Sequence, residues 1–348
     1  MIRTLLVGFG FSAKTFHLPF LQFMNAFELV GVVSSRPAAV ADVLPDVPVY
    51  SSMTKALEAA TVDLVVITTP NVLHAMQARQ ALIFGCHVLV EKPFTLSSEE
   101  AKALVSLAKE KQRILSVYQN RRFDGDFLTV KKLIAENQLG NVKRFASRFD
   151  RFRPRSRDRW RENAGPGAGI LWDLGPHLVD QAVQLFGVPK QVQAVVQTLR
   201  DGGQSHDSFD ITLFYNGITV VLGSSPFQGH QTLRFEVQGD QGSYRKYGLD
   251  PQENQLKQGL TFDDSQWGET PSDQNGQLSN GECLQTISTQ KGDYLQFYHG
   301  LAGAISEGSE APADGKSVIP VIQLIELALE SAETGKALPV YLDMNENN

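Results

Sequence analysis

The first 120 residues alternate short apolar runs with longer amphipathic segments. The apolar runs are nearly continuous in Val, Leu and Ile, which favours strands covered on both faces, as in a parallel sheet. We predict strands at Thr4–Gly8, Leu29–Ser34, Leu64–Thr68, His87–Glu91 and Ile114–Gln119. The segments between them predict helices at Ala13–Met24, Met53–Ala60, Val72–Phe84 and Ser97–Lys111. Such alternation is typical of a doubly wound α/β fold.

The pattern changes after Gln119. Further helices are predicted at Phe123–Asn137, Asp173–Phe186, Asp293–Ser306 and Val318–Thr334. Strands are predicted at Val142–Phe152, Gln191–Leu199, Phe209–Tyr215, Ile218–Gly223 and Thr232–Gly239. Asn216-Gly217 between two of these strands is a strong hairpin signal, whereas the polar residues 240–292 predict long loops. The chain is therefore predicted to be α/β, with a second, α+β domain built on an open, mostly antiparallel sheet.

Composition excludes several classes of protein. A chain of 348 residues is long enough for two domains, and 42% apolar with 20% charged residues is ordinary for a globular protein. The net charge of −6 argues against nucleic acid and against a polybasic membrane contact. Cys86 and Cys283 lack the spacing of a metal site, and Cys86 is expected to be a packed thiol. Because Met1 leads directly into a strand, with neither a leader nor a membrane span, we expect a cytoplasmic protein.

The first predicted strand ends in the pattern Gly8-x-Gly10-x-x-Ala13, which also opens a helix. Gly8 permits the tight turn, Gly10 lets the backbone approach a pyrophosphate, and Ala13 allows close packing of helix and strand. The alternative is a tight strand–helix turn without a ligand. The strand series downstream favours a dinucleotide, for which the predicted contacts here are Gly8, Phe9, Gly10, Phe11, Ser12 and Ala13.

The end of the second strand bears on the choice of cofactor. NAD-binding proteins normally carry an acid there that accepts from the ribose hydroxyls, but no acid occurs before Asp42. Ser34, Ser35 and Arg36 offer hydroxyls and a cation, which suit the 2′-phosphate of NADP. The alternative is a solvated loop in which Pro37 begins a helix. We predict NADP, with NAD less favoured.

All five strands of the first domain end in polar or turn-forming residues. In an open parallel sheet the carboxyl ends line a single ligand crevice. His74, early in a helix, is equally consistent with a surface position. The further cofactor contacts predicted at this edge are Thr69, Pro70, Asn71, His74, Glu91, Lys92 and Gln119. We therefore assign residues 1–120 to a dinucleotide-binding domain and 121–348 to a substrate-binding and dimerisation domain, whose C-terminal helix can pack back on the first.

Asp173, His177 and Asp180 are spaced i, i+4 and i+7, so one helix face can carry all three. Pro176 is tolerated only in a first helical turn, which would place Asp173 near the start as a cap. An acid–base pair for catalysis is one interpretation of Asp173 and His177. The structural alternative makes Asp173 a helix cap, His177 a partner in a core hydrogen bond and Asp180 a structural acid. A metal site formed by the three residues is a further alternative. No second His or Cys cluster supports a metal, so none is predicted.

An arginine-rich window raises a different possibility. Phe145, Phe149, Phe152 and Trp160 are interleaved with arginines at 144, 148, 151, 153, 155, 157, 159 and 161. Such a mixture can bind single-stranded nucleic acid. The acidic net charge disfavours this, and we interpret the window as a solvated strand edge that leads into a loop over a substrate pocket.

These motifs together resemble the glucose–fructose oxidoreductase/inositol dehydrogenase (Gfo/Idh/MocA) family over nearly the whole chain. The resemblance is carried by Gly8–Ala13, Glu91-Lys92-Pro93, Tyr118-Gln119-Asn120-Arg121-Arg122, Trp160-Arg161-Glu162, Gly165-Pro166-Gly167 and Asp173…His177. Within the family the chain looks most similar to NADP-dependent dehydrogenases of scyllo-inositol and related polyols. The third fingerprint residue is Ala rather than Gly, and the acid of NAD-using members is missing. The resemblance implies a Rossmann-type first domain, a homodimer or higher homo-oligomer formed through the second-domain sheet, and a cis Lys92–Pro93 bond.

The resemblance also implies catalytic roles for Lys92, Asp173 and His177. We hypothesise reversible oxidation of a secondary alcohol, in which His177, with an unperturbed pKa of about 6.5, is the base. Lys92 would stabilise the developing charge on oxygen and Asp173 would orient the ring. The expected substrate is a neutral cyclic polyol or pyranose, with an anionic sugar as competitor. The predicted substrate contacts are Lys92, Asn120, Trp160, Arg161, Asp173 and His177. Two alternatives are a cofactor-dependent glycosidase and a non-catalytic NADP-binding sensor.

Overall fold

The computed structural model describes residues 1–159 and 161–341. The chain divides into two compact units. The first comprises Met1–Asn120, Glu253–Asp264 and Tyr294–Ile319. The second comprises Arg121–Gln252, Ser265–Asp293 and the chain from Pro320 onward.

The first unit is built on a parallel sheet. Its strands are β1 (Ile2–Val7), β2 (Phe27–Val33), β3 (Val49–Tyr50), β4 (Leu64–Ile67), β5 (His87–Val90) and β6 (Leu115–Val117). They lie in the order β3-β2-β1-β4-β5-β6 and every pairing is parallel. This is the strand order of dinucleotide-binding α/β folds. All four residues of β4 are inaccessible to solvent, which explains why the run has no polar alternation.

Helices connect these strands, as the pattern predicts. After β1 a π-helical segment, Ala13–His17, continues as α1 (Leu18–Phe23). The others are α2 (Pro37–Ala41), α3 (Met53–Ala59), α4 (His74–Ile83) and α5 (Ser98–Lys111). The Ser97 hydroxyl caps α5 by accepting from the backbone N–H groups of Glu99 and Glu100, at 3.2 and 3.3 Å. The short strand β3 was not predicted, and α2 begins at Pro37, where a helix was given only as the alternative interpretation.

The second unit is built on a mixed sheet. Its strands are β7 (Val142–Arg148), β8 (Gln191–Gln197), β9 (Ser208–Phe214), β10 (Thr219–Ser224), β11 (Leu233–Gly239), β12 (Ser243–Tyr247), β13 (Gly276–Ser279), β14 (Leu284–Ile287) and β15 (Leu338–Pro339). They lie in the order β14-β13-β12-β11-β7-β10-β9-β8-β15. Only β7 and β10 run parallel among the described pairings, so the prediction of an open, mostly antiparallel sheet is confirmed. The hairpin at Asn216-Gly217 joins β9 to β10, with Gly217 at φ +74°.

The prediction of long loops over residues 240–292 was wrong. This stretch contains β12, β13 and β14, and also the helix α8 (Gln252–Gln258). β14 is an edge strand with mostly exposed residues, so its sequence lacks the apolar alternation of a half-buried strand. Its order comes from pairing with β13 instead.

The helices of the second unit and the C-terminal part of the chain complete the fold. They are α6 (Gly125–Ala135), α7 (Ile170–Phe186), α9 (Leu295–Glu307) and α10 (Gly315–Thr334). α7 begins three residues before the predicted start, after Gly169 at φ +93°. Asp173 is therefore not the cap, and Pro176 lies inside the helix rather than in its first turn, so both of those predictions were wrong. Of the helices in the described ranges, none is both long enough and apolar enough to cross a membrane.

Candidate active site

The turn after β1 has the geometry of a phosphate-binding loop. Gly8 has φ +97°, and a Cβ atom there would lie 2.7 Å from Thr68 Oγ1, so only glycine fits. A Cβ atom at Gly10 would meet no atom within 4 Å, so Gly10 borders open space. The absence of a side chain lets a ligand approach its backbone there. Ala13 is completely buried against the sheet. Backbone N–H groups at the start of the following helix suit a pyrophosphate, so the turn fits the dinucleotide cofactor.

The end of β2 places a cation beside that turn. The Arg36 guanidinium donates from Nη2 to the carbonyl oxygen of Phe9 at 3.3 Å. Its backbone N–H donates to Ser34 Oγ at 3.1 Å, while Ser35 and Arg36 are exposed. This arrangement of cation and hydroxyls fits a phosphate ester near the adenosine end of the cofactor.

His74 is not a surface residue. It is 1% exposed, and its ring lies between two carbonyl oxygens, with Nδ1 2.8 Å from Pro93 O and Nε2 3.0 Å from Thr69 O. Burial lowers the pKa of His74, against the opposing effect of the two carbonyl groups. Because Thr69 follows β4 and Pro93 follows β5, the His74 ring lies between two neighbouring strand ends. In its neutral form it donates its single N–H to one of the two carbonyl oxygens. Thr69 in turn donates from its hydroxyl to Gln77 Oε1 at 2.6 Å.

Gln119 presents an unsatisfied amide at the end of β6. Gln119 is only 1% exposed. Neither its Nε2 nor its Oε1 has a hydrogen-bond partner among the described residues. A buried amide without partners is costly unless a ligand supplies them. Gln119 follows β6 at the carboxyl edge of the sheet, where a cofactor contact was predicted from the sequence. Asn120, the next residue, is 5% exposed.

Glu91 lies at the centre of a group of polar side chains within the first unit. Its Oε1 accepts from the Ser12 hydroxyl and lies 3.0 Å from His17 Nε2. The other ring nitrogen, His17 Nδ1, lies 2.7 Å from the Tyr298 hydroxyl on α9. We call Ser12, His17, Glu91 and Tyr298 the Glu91 cluster. Glu91 Oε2 also accepts from the backbone N–H of Lys92 at 3.0 Å. The Lys92–Pro93 bond that follows is cis, as predicted.

The Glu91 carboxylate is stabilised in its charged form. Burial would raise the pKa of Glu91, but the hydrogen bond and charge of His17, together with Lys92 and Ser12, outweigh burial and lower the pKa to about 2. An ionised carboxylate only accepts hydrogen bonds, so Ser12 and His17 Nε2–H are both donors to it. The sole hydroxyl hydrogen of Ser12 is therefore committed to Glu91, which leaves the backbone N–H as the donor that Ser12 can offer to a phosphate.

Sequence reasoning missed His17 and Tyr298. The signal for His17 was Pro19, which lies inside the predicted helix Ala13–Met24 and has no N–H to donate to a carbonyl four residues back. The chain responds with a π-helical segment in which the backbone N–H of Leu18 donates to Ala13 O, and His17 is fully buried. Tyr298 lies 281 residues further along the chain, and no local pattern indicates that contact.

In the second unit, α7 carries the remaining acid–base candidates. His177 is 4% exposed and Asp173 is partly exposed. Asp173 Oδ1 lies 3.9 Å from Arg161 Nε, which brings the predicted substrate contact Arg161 to Asp173. Asp180, one turn beyond His177, is paired with Arg122 and is thereby a structural acid. Trp160, also predicted to contact substrate, lies outside the described residues.

Some arginines of the arginine-rich window are paired with acids of their own unit. Arg148 pairs with Asp150 and Asp210, and Arg157 pairs with Glu162. These ion pairs give Arg148 and Arg157 structural roles within the second unit, which supports the interpretation of the window as a solvated strand edge. Within the described ranges, no group of three or more His, Cys, Asp or Glu side chains is arranged to hold a metal ion.

Comparisons with known proteins agree with this geometry. Residues 2–119 match the profile of an oxidoreductase family, NAD-binding Rossmann fold, and residues 131–342 match its C-terminal alpha/beta domain. Uncharacterized oxidoreductase YdgJ of Escherichia coli (strain K12) is 43% identical over 334 residues, 95% of this chain and 96% of that protein. Scyllo-inositol 2-dehydrogenase (NADP(+)) IolW of Bacillus subtilis (strain 168) is 35% identical over 341 residues, covering 97% and 95%. The solved structure of yvaA from Bacillus subtilis superposes with a TM-score of 0.94 at 34% identity over 98% of each chain. The chain therefore belongs to the Gfo/Idh/MocA family of oxidoreductases.

Proposed function

We propose that this protein is an NADP-dependent dehydrogenase that interconverts a secondary alcohol of a cyclic polyol or sugar and the corresponding ketone. The observation that carries the proposal is the pair of hydrogen bonds made by Glu91. Its carboxylate accepts from Ser12, in the phosphate-binding turn, and from the backbone N–H of Lys92. The backbone that carries the Lys92 side chain is thus linked to the turn proposed to bind the cofactor. The 35% identical relative named as an NADP(+) scyllo-inositol dehydrogenase supports the same assignment.

NADP is the cofactor that the first unit fits best. Gly8–Ala13 would hold its pyrophosphate, and Ser34, Ser35 and Arg36 its 2′-phosphate. At the strand ends Thr69, Pro70, Asn71 and Gln119 would hold its nicotinamide half, on a framework that His74 and Glu91 keep in place. When bound, the oxidised nicotinamide supplies the acceptor for a hydride. The support for NADP over NAD is the Arg36 guanidinium beside Phe9, since a second phosphate requires a cation there.

Three side chains of this chain are assigned to the chemistry. A carbinol carbon loses hydride more readily as its oxygen loses a proton, so a base and a stabilising cation are needed. An imidazole nitrogen of His177 accepts the hydroxyl proton in the oxidative direction and returns it in the reductive direction. The Lys92 ammonium donates a hydrogen bond to the same oxygen. Asp173 accepts from a neighbouring hydroxyl and orients the ring.

A neutral polyol suits these groups. Carboxylate, ammonium, imidazole and the amide of Asn120 can each pair with an alcohol. Arg161, the cation predicted to recruit an anionic sugar, has its Nε 3.9 Å from Asp173 Oδ1, so its charge is partly compensated within its own unit. We propose scyllo-inositol as the first compound to test.

The proposal extends to assembly and location. We propose a homodimer or higher homo-oligomer formed through the sheet of the second unit, where Val195 and Leu199 expose 53% and 45% of their surface. Light scattering after gel filtration tests this: a monomeric mass at micromolar concentration would contradict it. A cytoplasmic location is proposed with it, and the buried thiol of Cys86, 3% exposed, is compatible with a reducing compartment.

The catalytic assignment is tested by replacing the proposed groups one at a time. Lys92→Ala and His177→Ala are each expected to lower turnover by about 100-fold or more, the scale of a positioned acid–base or charge-stabilising group. Cofactor binding, followed by NADPH fluorescence, serves as the control that each variant is folded. Near-normal turnover in both variants would show that the assignment is wrong.

A further inference from the structure

The Glu91 cluster lies behind the phosphate-binding turn and includes an anion. Glu91 is 7% exposed and ionised, and its Oε1 accepts from Ser12, two residues beyond Gly10. A buried carboxylate so near a pyrophosphate site would repel the cofactor if its charge were left uncompensated. The donors that satisfy Glu91 therefore matter for cofactor binding as well as for stability.

His17 is the donor that satisfies this carboxylate from inside the protein. Its side chain is fully buried, and Nε2 lies 3.0 Å from Glu91 Oε1. The ring of Tyr118 packs against it with centroids 4.5 Å apart, which restricts rotation of the imidazole. His17 is the last residue of the π-helical segment Ala13–His17. The local distortion that follows the phosphate-binding turn therefore also sets the direction of the His17 ring toward Glu91.

Tyr298 fixes the other side of the imidazole. Its hydroxyl lies 2.7 Å from His17 Nδ1 and 3.4 Å from Phe16 O. Burial, with Tyr118 and Glu91 nearby, raises the pKa of Tyr298 well above its usual range, so the phenol keeps its hydrogen. Glu91 can only accept, so Nε2 carries a hydrogen that faces it. Tyr298 donates to Nδ1 of the neutral ring or accepts from Nδ1–H of the protonated ring, and it restrains the imidazole in both forms.

We infer that His17, held by Tyr298, is a positioning residue for cofactor binding, because it orients the Glu91 carboxylate that fixes Ser12 in the phosphate-binding turn. The inference rests on the proposed function in that the ligand of the turn is NADP. Neither side chain needs to contact the cofactor. Both act through Glu91. Because β4 lies between β1 and β5 in the sheet, the Ser12–Glu91 hydrogen bond links the segments that follow β1 and β5.

The test compares His17→Leu, His17→Gln and Tyr298→Phe by titrating NADPH fluorescence in the absence of substrate. His17→Leu is expected to raise the NADPH dissociation constant about tenfold or more, the scale of a lost hydrogen bond to a charged group. His17→Gln retains an amide donor for Glu91 and is expected to recover most of the affinity. Tyr298→Phe removes one oxygen atom and is expected to raise the dissociation constant by a smaller factor. The KM for NADP should rise in each case, with kcat at saturating cofactor largely retained.

Tyr215→Phe is the matched control. Its hydroxyl also makes one hydrogen bond, to Gly187 O at 3.0 Å in the second unit, so it reports the loss of a tyrosine hydroxyl without the cluster. This control is expected to keep the wild-type affinity for NADPH. If His17→Leu and Tyr298→Phe lower the unfolding temperature but bind NADPH like the wild type, the residues are only structural and the inference is overturned. A wild-type protein that binds no nicotinamide cofactor would instead overturn the proposed function itself.

Discussion

Arg122 and Asp180 form a buried, two-point ion pair in the second unit. Arg122 Nε donates to Asp180 Oδ2 at 2.9 Å and Nη2 donates to Oδ1 at 2.6 Å. The two side chains are 10% and 2% exposed. The pair joins the chain after β6 to α7, the helix that carries Asp173 and His177. Asp180 therefore anchors the helix that carries the two proposed catalytic residues, although its spacing alone was compatible with a role beside His177.

Asp180→Asn is expected to lower the free energy of unfolding by about 3 kcal/mol, because the buried Arg122 guanidinium loses the carboxylate charge that compensates it. Urea denaturation measures this. Asp63→Asn is the control, since Asp63 pairs with Arg3 at 2.7 Å but the two side chains are 31% and 41% exposed. Loss of that surface pair should cost less than about 1 kcal/mol. Equal losses in the two variants would contradict the structural role assigned to Asp180.

Arg36→Ala is expected to weaken the use of NADP by about 1.5–3 kcal/mol, the scale of a charged hydrogen bond, and to affect NAD much less. The physical reason is loss of the cation beside Phe9 that is proposed to meet the 2′-phosphate. Comparing kcat/KM for the two cofactors in wild type and variant measures the effect. A wild-type preference for NAD, or an equal loss for both cofactors, would refute the assignment.

Gln119→Leu should separate binding from stability. The Gln119 amide has no hydrogen-bond partner in the described part of the chain, so an apolar side chain of similar size is expected to leave the unliganded protein as stable or more stable. Cofactor affinity should fall, because the amide is proposed to find its partners there. The two readouts are thermal unfolding without ligand and NADPH titration. Unchanged affinity in the variant would mean that Gln119 does not face the cofactor.

The Glu91 cluster predicts a specific acid dependence of stability. The pKa of Glu91 is lowered from 4.5 to about 2 in the folded protein. A lowered carboxyl pKa stabilises the fold above the unfolded value and loses that contribution as pH falls through the folded value. The contribution is on the order of 3 kcal/mol, lost as the pH falls from about 4.5 to about 2. Glu91→Gln should therefore flatten the fall in unfolding free energy over this range, as measured by urea denaturation at each pH. An unaltered pH dependence would contradict the pKa assigned to Glu91.

Ionic strength distinguishes a neutral from an anionic substrate. With saturating cofactor, the KM for a neutral polyol should be nearly independent of salt, because screening acts only on charged partners. A KM that rises steeply with salt, and loses that dependence in Arg161→Ala, would show that the substrate is an anionic sugar.

Much of the fold could be predicted because local pattern and tertiary structure agree there. The apolar run of β4 is buried on both faces, and Asn216-Gly217, a pair favoured in tight hairpin turns, joins β9 to β10. The start of α7 could not be read from Pro176, because the helix tolerates proline in its interior and begins after Gly169. β13 was not predicted because its first residue, Gly276, has no side chain that would indicate a strand. The Tyr244 ring occupies the space where a Cβ atom of Gly276 would lie, and this contact exists only in the folded protein.

The candidate site could likewise be predicted from the sequence only in part. Motif residues such as Gly8 and Lys92 are recognisable because the chemistry demands those residue types at strand ends. The residues that hold these motifs in place are not recognisable in the sequence. The hydrogen bond between His17 and Tyr298, for example, joins residues 281 positions apart and forms only in the folded core. The strand position of Gln119 predicts a place at the carboxyl edge of the sheet, but the lack of a hydrogen-bond partner among the described residues is visible only in three dimensions.

The reduction of NADP by the wild-type protein, followed by absorbance across a panel of inositols, monosaccharides and glycosides, tests the central claim most directly. The account predicts sustained reduction with at least one neutral cyclic polyol or sugar, scyllo-inositol first, and a higher kcat/KM with NADP than with NAD. Cleavage of a glycoside without net cofactor reduction would contradict the proposed function and indicate a cofactor-dependent glycosidase. Tight NADP binding with no turnover on any member of the panel would contradict it as well and indicate a sensor.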